Sequence, residues 1–230
     1  HASKLTVDSD GDMDFDTQVT TVDLESRPAT GTGNIVFKNF ALGGAELTID
    51  QVVADNGLID IEVDSDLNAV LVETNQRTGN TSSTNTIDLT TEGDLTVGAV
   101  NTEGFADVTF DVVDGIIGQP LTGTSLVTGK KLFITINSSA TAGTNAVELD
   151  LAVDELDAEK TVGNGHFVFR SAQDLIAKRV INPGTGEISI TLTDATTDPS
   201  LSIEQIDSGS SGDINLTVED GEFVVFVGPS

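Results

Sequence analysis

Glu46–Val52 reads ELTIDQV. Side chains of an extended chain alternate sides, so Leu47 and Ile49 share a face while Val52 has the opposite parity. For all three to point inward, the ribbon must bend at Asp50 and Gln51. The same spacing recurs in DLTVGAV (Leu95, Val97, Val100), DLIAKRV (Leu175, Ala177, Val180) and SLSIEQI (Leu201, Ile203, Ile206). All four read L-x-[IVA]-x-x-[VI]. Each is followed, seven or eight residues after its last apolar position, by a strand of period-two alternation starting at Ile59, Val108, Ile188 or Ile214. Period two marks strands with one dry and one wet face. Every connector holds glycine (Gly57; Gly104; Gly184 and Gly186; Gly209 and Gly212), which accepts positive φ at little cost. Short strand, bend, short strand, glycine corner is how one coil of a solenoid turns. The spacing therefore predicts an all-β fold, a parallel β-solenoid (β-helix) with short strands, Gly corners and protruding polar loops. Its coils would stack at ~4.8 Å, with Leu47, Leu95, Leu175 and Leu201 piled in one column. The alternative is a pair of tandem β-sandwich adhesion modules.

Repeat units lie on both sides of the polar stretches Gln76–Asn85, Pro120–Gly129 and Ser138–Asn145, which read as loops and not as domain linkers. Residues 1–230 are accordingly expected to form a single solenoid domain. The start HASKLTV and the strand-like ending EFVVFVGPS mark it as a piece of a larger structure, or as one that assembles into one. The best helical candidate is Ser171–Val180, which overlaps a repeat unit and so also reads as a strand.

The chain carries 38 acids against 10 Lys and Arg, a formal net charge of -28. Such a surface repels phosphate backbones and anionic lipid, which argues against nucleic acid as a partner. No apolar run approaches the ~20 residues of a membrane span, which argues against membrane insertion. There is no Cys, so disulfides, thiolate metal sites and thiol catalysis are excluded.

The texture of GDLTVGAVNTEG and GEISITLTD resembles the filamentous-haemagglutinin class, over most of Asn34 to Val227. That class comprises large bacterial surface and secreted adhesins with a right-handed β-helix. The resemblance lies in core packing, and it implies an extracellular or cell-surface location without assigning any functional residue.

Candidate sites are few. DSDGDMDFD places Asp8, Asp10, Asp12 and Asp14 with the alternate-acid spacing of a calcium loop. Gly11 comes two places too early for an EF-hand, and position twelve is Val19. The other reading is a strand with Met13 and Phe15 dry and Asp12, Asp14 and Asp16 wet. The two combine if a peripheral, structural Ca2+ relieves the crowding of carboxylates there, or at Asp60, Glu62, Asp64 and Asp66. Of the two histidines, His1 is terminal and His166 is expected on the wet face of a strand beside Phe167 and Phe169. Carboxylate pairs cleave glycosides without histidine, but sites for acidic sugars also need bases. The paired bases Lys178 and Arg179 fall on the bend of a repeat unit, where charge balance accounts for them.

The expected function is a non-enzymatic structural or adhesive protein of the bacterial cell surface or extracellular matrix, forming a rod, shell or filament. Its partners would be further copies of itself, joined head to tail through terminal strand edges such as Glu222–Val227, and cell-surface glycans. The alternative is a polysaccharide-binding or polysaccharide-cleaving β-helix protein.

Overall fold

A computed structural model describes residues 4–40, 43–121, 125–138, 140–193, 198–209, 211–219 and 222–225. His1, and Phe226 and Val227 of the terminal run, lie outside the described residues. The described residues form twenty strands and no helix. The strands pair in parallel, those inside the stack with the strands one coil below and one coil above, which makes a parallel β-solenoid. The segment with helical potential, Ser171–Val180, ends one strand and supplies most of the next, Leu175–Ile181.

The strand Leu47–Ala54 shows how a coil is made. Leu47 and Ile49 are buried, Asp50 is exposed, Gln51 is half-buried, and Val52 and Ala54 are buried again. The parity changes at Asp50–Gln51, where the ribbon bends. After a turn around Gly57 the straight strand Ile59–Val63 buries Ile59, Ile61 and Val63. A second turn brings the chain to Leu67, directly over Leu47. Backbone bonds close each step, for example Leu47 N donating to Asp66 O at 2.9 Å and Leu67 N to Asp94 O at 2.8 Å.

Inward columns of stacked side chains carry the core, and three of them show the pattern. One stacks Leu47, Leu67, Leu95 and Ile117. The next stacks Leu24, Val52, Val72, Val100 and Val127. The third, across the core, stacks Ile35, Ile59, Ile87, Val108, Leu132 and Leu156. Each fully buried leucine or isoleucine in them contributes about 1.5–3 kcal/mol.

Leu175 and Leu201 also stack on each other and are buried, but not over Leu47 and Leu95. Ala177 and Ile203, two residues on, continue the third column above Leu156. The four leucines thus line one core in two columns. The long strand Asn145–Val162 makes the exchange. After an irregularity at Asn145–Val147 it runs straight through Val147, Leu149, Leu151 and Val153, and changes parity at Asp154–Glu155. Above it the bend lies at Lys178–Arg179, in the strand on the opposite side.

The connector glycines answer mainly to crowding. Only Gly104 and Gly209 among them have positive φ, at 76° and 71°. A Cβ on Gly57 would overlap the carbonyl of Gly33 in the coil below, and one on Gly186 or Gly212 would overlap that of Gly165 or Gly186. Glycine stacks on glycine where two turns approach more closely than a methyl group permits.

Candidate functional site

The acids singled out in the sequence lie on the outside of the first coil. Met13 is buried and Phe15 half-buried, while Asp8, Asp10, Asp12 and Asp14 are exposed. Asp12 Oδ1 accepts the backbone N–H of Asn34 at 2.8 Å. Asn34, Asp66 and Asp94 act in the same way, accepting from Leu58 N at 3.1 Å, Asp94 N at 2.9 Å and Ile116 N at 2.9 Å. These side chains close the turns of the next coil. Among the described residues no three His, Asp or Glu side chains converge as a metal site. In the second acidic cluster, Asp60 stacks under Asp88. Burial, and then the charge of Asp88, hold the Asp60 carboxyl above the usual range, with Lys38 acting the other way.

Most of the bases bind acids on neighbouring coils. Arg179 reaches Asp157 at 2.9 Å and Glu159 at 2.7 Å, Lys178 bonds Glu204, and Lys131 meets Glu155 at 2.8 Å. Arg170 spans Glu148 and Asp150, and Lys4 spans Asp23 and Asp50. The Lys178–Arg179 pair thus joins coils at the bend. His166 is half-buried, and its Nδ1 accepts Glu187 N of the next coil at 2.9 Å, an acceptor at a turn like Asp12.

Two places were not visible in the sequence. Lys160 sits in the core with no exposed surface. Its Nζ donates to Gly165 O at 3.2 Å, and burial pushes its pKa below the ordinary 10.5. Asn182, one coil above and also fully buried, donates to the same carbonyl at 3.1 Å, while its Oδ1 has no partner among the described residues.

The second place is a groove of about 320 Å³ at the turns that follow Thr74 and Thr102. The polar stretch Gln76–Asn85 leaves the stack as a loop and is tied back along it. Arg77 N donates to Asp55 O at 3.1 Å, and the Arg77 guanidinium to Pro28 O. Buried Asn75 donates to Ser82 O and Thr102 O, both at 3.1 Å, and accepts from Asn85 at 2.7 Å. Asn80 and Asn85 both donate to Asn56 Oδ1, at 3.0 Å. This amide network fixes one wall. The other wall is the turn Thr102–Phe105, closed by Phe105 N donating to Thr102 O at 3.2 Å.

Asn75 and Glu103 are the two non-glycine residues with positive φ among the described residues, at 62° and 55°, and both line this groove. For asparagine the conformation is tolerable, and its side-chain bonds compensate it. For glutamate it is unfavourable. Glu103 and Gly104 in succession form a turn of the kind that favours Asn-Gly or Asp-Gly. The turn presents the Glu103 carboxylate, held by Gln76 at 3.1 Å and Asn101 at 2.8 Å, beside the exposed ring of Phe105. The only trace of this in the sequence is the pair Glu103-Gly104 in a turn.

Comparison with family models, with curated proteins and with solved structures gives no match.

Proposed function

We propose that the chain is a non-enzymatic structural and adhesive segment of a bacterial cell-surface or extracellular protein, extending as a stiff rod. The observation that carries the reading is the unbroken parallel ladder. Within the described residues Lys4–Ser9 pairs only with Thr21–Ser26, and Ile214–Glu219 only with Ile188–Thr193. Each leaves one edge on which a further coil, of the same chain or of a second copy, continues the hydrogen bonds. Ile214 is 41% exposed on that last rung, while its counterparts Ile188 and Phe167 are fully covered.

Charge sets the direction of assembly. A net charge of -28 makes side-by-side contact of the acidic outer faces costly, whereas the core columns meet at the ends. The resemblance of GDLTVGAVNTEG to filamentous-haemagglutinin repeats supports the same location and role. Negative-stain electron microscopy over a concentration series tests the reading. Rods that lengthen in multiples of one particle are expected. Compact particles, or side-by-side bundles at low salt, would overturn it.

A further inference from the structure

We propose that the groove between Gln76–Thr81 and Glu103–Phe105 binds a neutral saccharide chain. The inference gives a ligand to the adhesive half of the function proposed above. Its first basis is strain. The fold accounts for Asn75, whose amide ties two turns together. Glu103 also holds a left-handed conformation, one unfavourable for glutamate. Its N–H donates to Asn101 Oδ1 at 2.7 Å and its carboxylate accepts from Gln76 and Asn101, and these bonds leave the carboxylate exposed at the groove. Strain of this kind, sitting in a concave surface, points to function.

The second basis is the set of groups on display. The Phe105 ring is 40% exposed and offers an apolar face to the C–H face of a sugar ring. Glu103 and Gln76, already bonded to each other, form a planar edge that can hold two neighbouring hydroxyls. Thr78 and Thr81 add exposed hydroxyls on the opposite wall. The groove has one carboxylate and one guanidinium, Glu103 and Arg77, and so no net charge of its own. The field of the whole molecule repels acidic polymers, which leaves an uncharged ligand as the best fit. The groove is open, as a chain requires, and the amides of Asn56, Asn75, Asn80 and Asn85 hold it in shape before any ligand arrives.

The test is a titration of the whole chain with cello-, malto-, xylo- and chito-oligosaccharides, followed by calorimetry and by amide chemical shifts. Saturable binding of at least one is expected, with shifts confined to residues 75–81 and 101–105. Glu103→Asn should weaken it by about tenfold or more, the size of one hydrogen bond to a charged group. The same variant should leave the thermal midpoint unchanged or raised, because asparagine accepts positive φ. Phe105→Ala should also weaken binding. No binding by any of the four series would overturn the proposal, as would binding that survives Glu103→Asn. Either result would leave rod formation standing, since the groove is not part of the coil edges.

Discussion

Replacing Lys160 with methionine should stabilise the protein. The amine has no exposed surface, and its one hydrogen bond among the described residues goes to Gly165 O at 3.2 Å. Among the described residues no acid pairs with it. Methionine has a similar length and volume and no charge. The substitution loses one hydrogen bond, worth about 1 kcal/mol. Gly165 O keeps Asn182 Nδ2 at 3.1 Å, so it is not orphaned. Against that loss, the variant no longer has to dehydrate an amine, which costs several kcal/mol when no counter-charge is present. The net expectation is a gain of about 1–3 kcal/mol at pH 7.

The pH dependence has a definite sign. Burial places the folded pKa of Lys160 below 10.5, its ordinary value. Between the two values the unfolded chain binds the extra proton, so wild-type stability rises with pH there, by up to about 1.4 kcal/mol per unit. Below the folded pKa the penalty is fully present. The advantage of Lys160→Met should therefore be largest at neutral pH and shrink as pH approaches 10.5. Urea unfolding at pH 7 and pH 10 measures it. The chain has no Trp or Tyr, so far-ultraviolet circular dichroism is the suitable probe. A Met variant less stable at pH 7, or a gap independent of pH, would show that the amine is compensated in a way the structure does not show.

Leu95→Ala removes a link between Leu67 and Ile117 and should cost about 2–5 kcal/mol, whereas outward Thr96→Ala should cost under about 0.5 kcal/mol; urea unfolding separates them. Gly186→Ala drives a methyl into the carbonyl of Gly165 and should destabilise by about 1–3 kcal/mol, while Gly11→Ala meets nothing within 4 Å and should be near neutral by thermal melting. Lys178→Glu sets like charges together at Glu204 and should cost about 0.5–1 kcal/mol at low salt, with most of the loss recovered in 1 M NaCl.

The coil was legible because the parity change in Leu47–Val52 is local. A bend between two buried positions of opposite parity needs no knowledge of neighbours. Leu67–Val72 carries the same L-x-A-x-x-V pattern, but its follow-on strand starts at Ile87, fifteen residues after Val72, because the loop after Thr74 intervenes. A rule requiring a strand seven or eight residues on passes over it. Which leucines share a column was not legible. The coil length changes from 20 residues between Leu47 and Leu67 to 28 between Leu67 and Leu95, and the bend changes strands within Asn145–Val162. The glycines were found, but the reason for most of them lies in the coil below. The wet face of Asp12, Asp14 and Asp16 followed from alternation. The role of Asp12 at a turn did not, since its partner Asn34 is 22 residues away. Lys160 reads as one more polar residue in an alternating strand until the bend at Asp154–Glu155 reverses the parity and turns it inward.

In-register stacking of successive coils is open to a direct chemical measurement, because the chain has no cysteine of its own. Asn68 and Thr96 are register partners on adjacent coils, whereas Thr48 and Thr96 are separated by the coil that carries Asn68. Adjacent strands lie ~4.8 Å apart, within reach of a disulfide, and alternate ones ~9.6 Å apart, beyond it. Under mild oxidation the double variant Asn68→Cys, Thr96→Cys should form an intramolecular disulfide nearly quantitatively, and Thr48→Cys, Thr96→Cys should form none. Equal cross-linking of both pairs, or failure of the first in a folded protein, would contradict the stacked-coil architecture.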